Sequence, residues 1–232
     1  MDLQNRDNFL NKLATKMGRP RQFIPEPMPE LVNNYPTTRL TELSKTDLVD
    51  EFVRFAKVMM ADVIETSEAE LNRTLLEVCE KYGGGSVILN NDKRLADLGI
   101  LQSVQEKYDS YIWDLNQTEE NFAQAEKANI GIVYGEYGLA ESGGIVLFSD
   151  KDFGRSVSLL PEKSIVVLRK STVLPRVAQL AKILHEKAQR GERMPSCINI
   201  ISGPSATADI ELIKVVGVHG PVHKIYIVID DL

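Results

Sequence analysis

Amphipathic stretches and short apolar runs alternate along most of this chain, and their spacing predicts what each one builds. Leu43, Val49, Phe52, Phe55 and Val58 fall at helical spacing behind Ser44 or Thr46 as cap, and this helix leads into a short strand at 62–65. Ser67 and Glu70 form a capping box ahead of Leu71, Leu75, Val78 and Tyr82, and the glycines at 83–85 end that helix. Strands are expected at 86–89 and 111–115, with a helix opened by Asn116 and Glu119. After Ala128 the texture changes. Runs at 130–134, 138–140, 145–148 and 165–168 are punctuated by glycine, which predicts strands joined by turns. A long helix over about 173–190, with Val177, Leu180, Ala181 and Leu184 inside, precedes strands at 197–201 and 225–229.

Alternation of strand and helix, a hairpin-like middle and a return to alternation define an α/β class, with a mostly parallel sheet and an antiparallel insertion. The N-terminal region reads differently. Leu10, Leu13, Ala14 and Met17 share one face of a short helix, and Pro20, Pro25, Pro27, Pro29 and Pro36 then impose extended chain. Residues 1–38 are expected to form a helix and proline-rich arm, and 39–232 the α/β domain.

The 232 residues, 43% hydrophobic and 26% charged, suffice for one domain with an extension. A net charge of -6, with Lys and Arg dispersed among acids as in Glu186, Lys187, Arg190 and Glu192, supplies no field for nucleic acid. No leading apolar segment and no uncharged run of membrane-spanning length is visible, so a cytoplasmic protein is expected. Cys79 and Cys197 are far apart and read as small buried hydrophobes rather than a disulfide or metal framework.

Candidate chemistry is narrow. Neither a dinucleotide fingerprint nor a P-loop occurs, because Gly131, Gly135 and Gly138 have the wrong spacing; His185, His219 and His223 sit in no zinc motif, and no metal site is expected. The strongest candidate is the loop Ser202, Gly203, Pro204, Ser205, Ala206, Thr207, Ala208, Asp209. Here an apolar strand enters a glycine turn and then a short acidic helix, whose free amides and positive end would receive an anion. Alternatively, Ser205 or Thr207 simply caps the helix and Asp209 complements its dipole. Glu141 stands beside Ser142, Gly143 and Gly144, where small neighbours would let a substrate approach its carboxylate, or where the turn is merely tight. Arg155 could clamp a carboxylate or phosphate with Ser158, or be a surface arginine, and His219, in Gly217, Val218, His219, Gly220, Pro221, could act as acid or base or only serve the turn.

Those segments together resemble the lactate-utilization protein C family, the LUD-domain proteins. The match lies in ISGPSATADIE from Ile200 to Glu211, in GVHGP from Gly217 to Pro221, and upstream in AESGGIVL with Arg155 and SLLP at 158–161. One departure is Gly144, where Thr or Ser is expected. The resemblance implies the fold shared with sugar-phosphate isomerases and CoA transferases. It also implies a part in oxidising L-lactate to pyruvate as an accessory or substrate-side subunit. Iron-sulfur clusters would reside in partner proteins and no cofactor in this chain, since two cysteines cannot hold a cluster. The alternative is a stand-alone enzyme acting on a CoA thioester or sugar phosphate, with Glu141 as nucleophile. On either reading Glu141, Gly143, Gly144, Arg155 and Ser158 are expected to converge with the Ser202 loop on one pocket for a small carboxylate or phosphate.

Overall fold

The computed structural model describes residues 2–24, 26, 27, 29–208 and 213–232. It contains two compact units, Met1–Asn34 and Tyr35–Leu232. In the first, α1 (Leu3–Lys16) starts at Asp2, whose carboxylate accepts from the Gln4 amide, and Arg21 returns to Asp7 and Asn11.

The second unit opens with α2 (Tyr35–Thr38). Pro36 occupies the first turn of this helix, where no amide donor is needed, so the extended segment expected through residue 38 stops earlier. A capping box of Ser44 and Asp47 starts α3 (Lys45–Val58), which leads to β1 (Ala61–Ser67). The Ser67 hydroxyl accepts the Glu70 amide ahead of α4 (Leu71–Lys81), and the Gly84 amide closes that helix on the Cys79 carbonyl. Between β2 (Ser86–Leu89) and β3 (Asp109–Ile112) lie α5 (Lys93–Asp97) and α6 (Ile100–Lys107), two helices the sequence reading did not identify. The next helix, α7 (Thr118–Lys127), begins after Asn116, because Asp114 draws the Asn116 amide into a turn.

The rest runs β4 (Ile130–Tyr134), β5 (Tyr137–Leu139), β6 (Gly144–Ser149), α8 (Ser156–Leu159), β7 (Lys163–Arg169), β8 (Val173–Leu174), α9 (Val177–Gln189), β9 (Cys197–Ile201), β10 (Ala206–Ala208), β11 (Lys214–Val216) and β12 (His223–Asp230). The helix expected from 173 starts at Val177, because β8 and Pro175 occupy its first positions.

Six strands make a parallel sheet in the order β1-β12-β7-β4-β2-β3. Four make a second sheet, β8-β5-β6-β9, in which β6 runs antiparallel to both neighbours. The α/β class with an antiparallel insertion is therefore present, and the insertion is drawn from chain on both sides of β7. The central strands are continuous apolar runs because both faces are covered. Along β12, Ile225, Ile227 and Ile229 face the core under α4 and α6, whereas Tyr226 and Val228 face the core that holds Phe52 and Ala56 of α3. Period two puts Lys224 on the Tyr226 side.

Candidate functional site

A cavity of about 330 Å³ opens where β9 leaves the second sheet, walled by the Ser202–Ser205 stretch, by Ser158 and Leu159 of α8, and by His219, Gly220 and Pro221, with Lys224 of β12 also in its lining. Three local features build it. Gly203 has φ +72°, and a Cβ there would stand 1.9 Å from the Met59 carbonyl oxygen, so only glycine lets the loop rest on the end of α3. Its amide donates to the Tyr226 hydroxyl at 3.4 Å. Gly131 of β4 permits the second contact, since a Cβ would meet the Val157 carbonyl oxygen at 1.9 Å; α8 thereby lies close on the sheet and brings Ser158 to the rim. Third, the Ser205 amide donates to Pro221 and the Ser205 carbonyl accepts from Gly217, which ties the two marked loops together.

Lys224 is the residue the sequence reading missed. It is 2% exposed, its Nζ donates to the Ser164 hydroxyl at 2.8 Å, and among the described residues it has no carboxylate partner. Burial drives its pKa down to about 7, so near neutrality the amine is available in both charge states. Its only sequence signal is a lone lysine at the start of an apolar strand. Tyr226 stays a neutral phenol, because burial pushes its pKa well up.

The marked residues divide. Ser158, Ser202, Gly203 and Ser205 line the cavity together, and His219, which was not expected in that pocket, joins them. Arg155 does not. It is exposed and lines a separate, more apolar cavity with Trp113, Phe122 and Leu160, while its carbonyl receives the Ser158 amide and hydroxyl. Glu141 is not among the described lining residues either; its carboxylate is gripped by Arg176 and lies 3.4 Å from Arg39, and Arg176 also reaches the Tyr35 carbonyl. Gly143, at φ +59°, turns against α3, where a Cβ would fall 2.0 Å from the Ala56 nitrogen. Gly144 backs the Ser202 hydroxyl, 2.6 Å from where its Cβ would be. A side chain at this position would require that hydroxyl to turn aside.

Two further expectations change. Thr207 does not cap a helix: it lies in β10 opposite Val215 of β11, so the loop continues into a two-stranded ribbon. Asp209 and the rest of the expected acidic helix lie outside the described residues. The loop was also expected beyond the carboxyl end of a parallel strand. In fact β9 belongs to the second sheet, and the cavity sits at the amino ends of β7 and β12, beside Ser164 and Lys224. The polar side chains there are those of Ser158, Ser202, Ser205, His219 and Lys224 rather than a helix terminus, and the Gly203 and Ser205 amides are taken by Tyr226 and Pro221. Among the described residues no group of three or more His, Cys, Asp or Glu side chains could hold a metal ion, and no helix is long and apolar enough to cross a membrane.

The cavity carrying both marked loops and all but the last residue of the parallel sheet lie within residues 49–229, which the LUD domain model matches, and the chain belongs to the LUD domain family. Across 99% of its length the chain is 53% identical to the uncharacterized protein YkgG of Escherichia coli K12, all of which is covered. It is 42% identical to lactate utilization protein C of Macrococcus caseolyticus and 40% identical to that of Bacillus subtilis, covering 97% and 98% of those proteins. A crystal structure of a DUF162 family protein from Deinococcus radiodurans shares the fold, with a TM-score of 0.58 at 21% identity over 81% of this chain and 99% of that one.

Proposed function

We propose that this chain is a cytoplasmic component of an L-lactate oxidation system, the accessory or substrate-side subunit that works with iron-sulfur partner proteins. The observation that carries this reading is end-to-end similarity to proteins named lactate utilization protein C. Oxidation of lactate to pyruvate removes two electrons and two protons, and the electrons need an acceptor. This chain has two cysteines, one fully buried with its thiol pushed up to about 12, so a cluster belongs on a partner. What the chain contributes is the Ser202–Ser205 and His219 cavity, whose serine and histidine side chains suit a small carboxylate.

The alternative, a stand-alone enzyme acting on a CoA thioester or sugar phosphate, would use Glu141 as nucleophile toward a thioester. Its carboxylate is occupied by Arg176 and Arg39, which favours the accessory role. Tagged protein drawn from its native cell should bring down partners with iron-sulfur absorbance, and the purified chain alone should not reduce a dye with L-lactate. Lactate turnover by the single chain, or hydroxylamine trapping of an acyl group on Glu141, would overturn the proposal.

A further inference from the structure

The amine of Lys224 is buried beside a cavity with no carboxylate partner among the described residues, and such a group either stays neutral or waits for an anion from outside. Ser164, itself fully buried, is the one acceptor among the described residues for a group that carries three donors when protonated. Ser202 and Ser205 line the same space, and their hydroxyls have no protein partner among the described residues. We infer that Lys224 is the counter-charge of this cavity, taking up a proton as the carboxylate of a 2-hydroxy or 2-oxo monoacid enters and forming a charge-assisted hydrogen bond to it. The inference rests on the small-carboxylate reading above and adds the residue, the ligand charge and a pH dependence. One ammonium matches one negative charge, so a monocarboxylate is favoured over a phosphate dianion, which would be left with uncompensated charge in a desolvated site.

The other charged or titratable groups near Lys224 are accounted for. On β12, Tyr226 is neutral and His223 is exposed against the Tyr82 ring. On β7, Lys163 is bound to Asn129 and Glu162; on β1, Asp62 accepts the Tyr82 hydroxyl. At the end of α3 the Met59 carbonyl approaches Gly203, and the α8 segment contributes Ser158. His219, exposed, is the remaining titratable group of the lining. With the free amine titrating at about 7, an anion that holds it protonated binds without net proton uptake below that pH. Above it, each ligand takes up as much as one proton, and affinity falls by up to about tenfold per pH unit.

Calorimetric titration of the full chain with L-lactate, pyruvate and inorganic phosphate, at pH 6 to 9 and in buffers of different ionisation heat, tests this without any variant. Lys224→Met should weaken monocarboxylate binding at least tenfold and abolish proton uptake, whereas His219→Gln should retain uptake. Proton uptake confined to the pH range above about 7, with pyruvate or lactate bound more tightly than phosphate, supports the inference. Binding without uptake above about pH 7, uptake that survives Lys224→Met or depends on His219, tighter binding of phosphate, or no binding of any of the three anions overturns it. The last result leaves the lactate-oxidation reading intact, because that reading is tested by turnover with partners.

Discussion

Replacing Lys224 by Met removes one buried amine and keeps nearly the same length of apolar stem. In the folded chain the amine titrates at about 7 because it is desolvated, while in the unfolded chain it titrates near ~10.4. Between those values the unfolded state holds the extra proton, so burial of Lys224 costs less as pH rises and nothing above the unfolded value; below the folded pKa both states are protonated and the cost is complete. At about 1.4 kcal/mol per pH unit, the cost is about 4–5 kcal/mol at pH 6, about 2 at pH 9 and under about 1 at pH 10. Loss of the Ser164 hydrogen bond at 2.8 Å offsets roughly 1 kcal/mol. Lys224→Met should therefore be more stable than the parent by about 3 kcal/mol at pH 6 and about 1 kcal/mol at pH 9, with the two converging near pH 10. Urea unfolding of both proteins in parallel from pH 6 to pH 10 measures the difference. A constant offset across that range, or a Met variant destabilised at low pH, would show that Lys224 is charged and compensated in the fold, and would refute the reasoning.

Gly203→Ala should lose at least about 2 kcal/mol in thermal or urea unfolding, because a positive φ and the Met59 carbonyl act together against a Cβ. Arg155→Ala should leave carboxylate affinity of the Ser202 cavity unchanged within calorimetric error, since Arg155 lines the neighbouring cavity with Trp113. Glu141→Gln should cost about 1 kcal/mol of stability, reflecting a partly exposed pair with Arg176, and should leave L-lactate turnover in a reconstituted system within about twofold. In a thiol assay at pH 8, half-buried Cys197 should react and Cys79, buried with its thiol pushed up to about 12, should stay unmodified until the chain unfolds.

Much of this was legible before the fold was known, for local reasons. The run at 86–89 is apolar, bounded by glycines and by Asn90, and it forms β2 at those positions. The Ser202 and His219 loops were marked by their glycine and proline punctuation, and both reach the cavity. What failed was set by distant chain. The order Ser205, Ala206, Thr207 suits a helix start, yet β11 supplies a strand partner for Thr207 and decides the matter. Arg155 and Ser158 are three residues apart, but the α8 turn buries Ser158 at one cavity and leaves Arg155 at the other, a difference of orientation that spacing does not carry. Lys224 looked like a polar strand end. It is buried because β1 and β7 flank it while α8 and the Ser202 loop cover the same end of the sheet, and no local pattern records that.

The most direct measurement of the central claim is L-lactate-dependent dye reduction by a system reconstituted from this chain and the iron-sulfur proteins that co-purify with it, with each component omitted in turn. The account predicts pyruvate formation by the complete set, loss of most of it when this chain is left out, and none from this chain alone. Full activity without this chain, or turnover by this chain without partners, would contradict it.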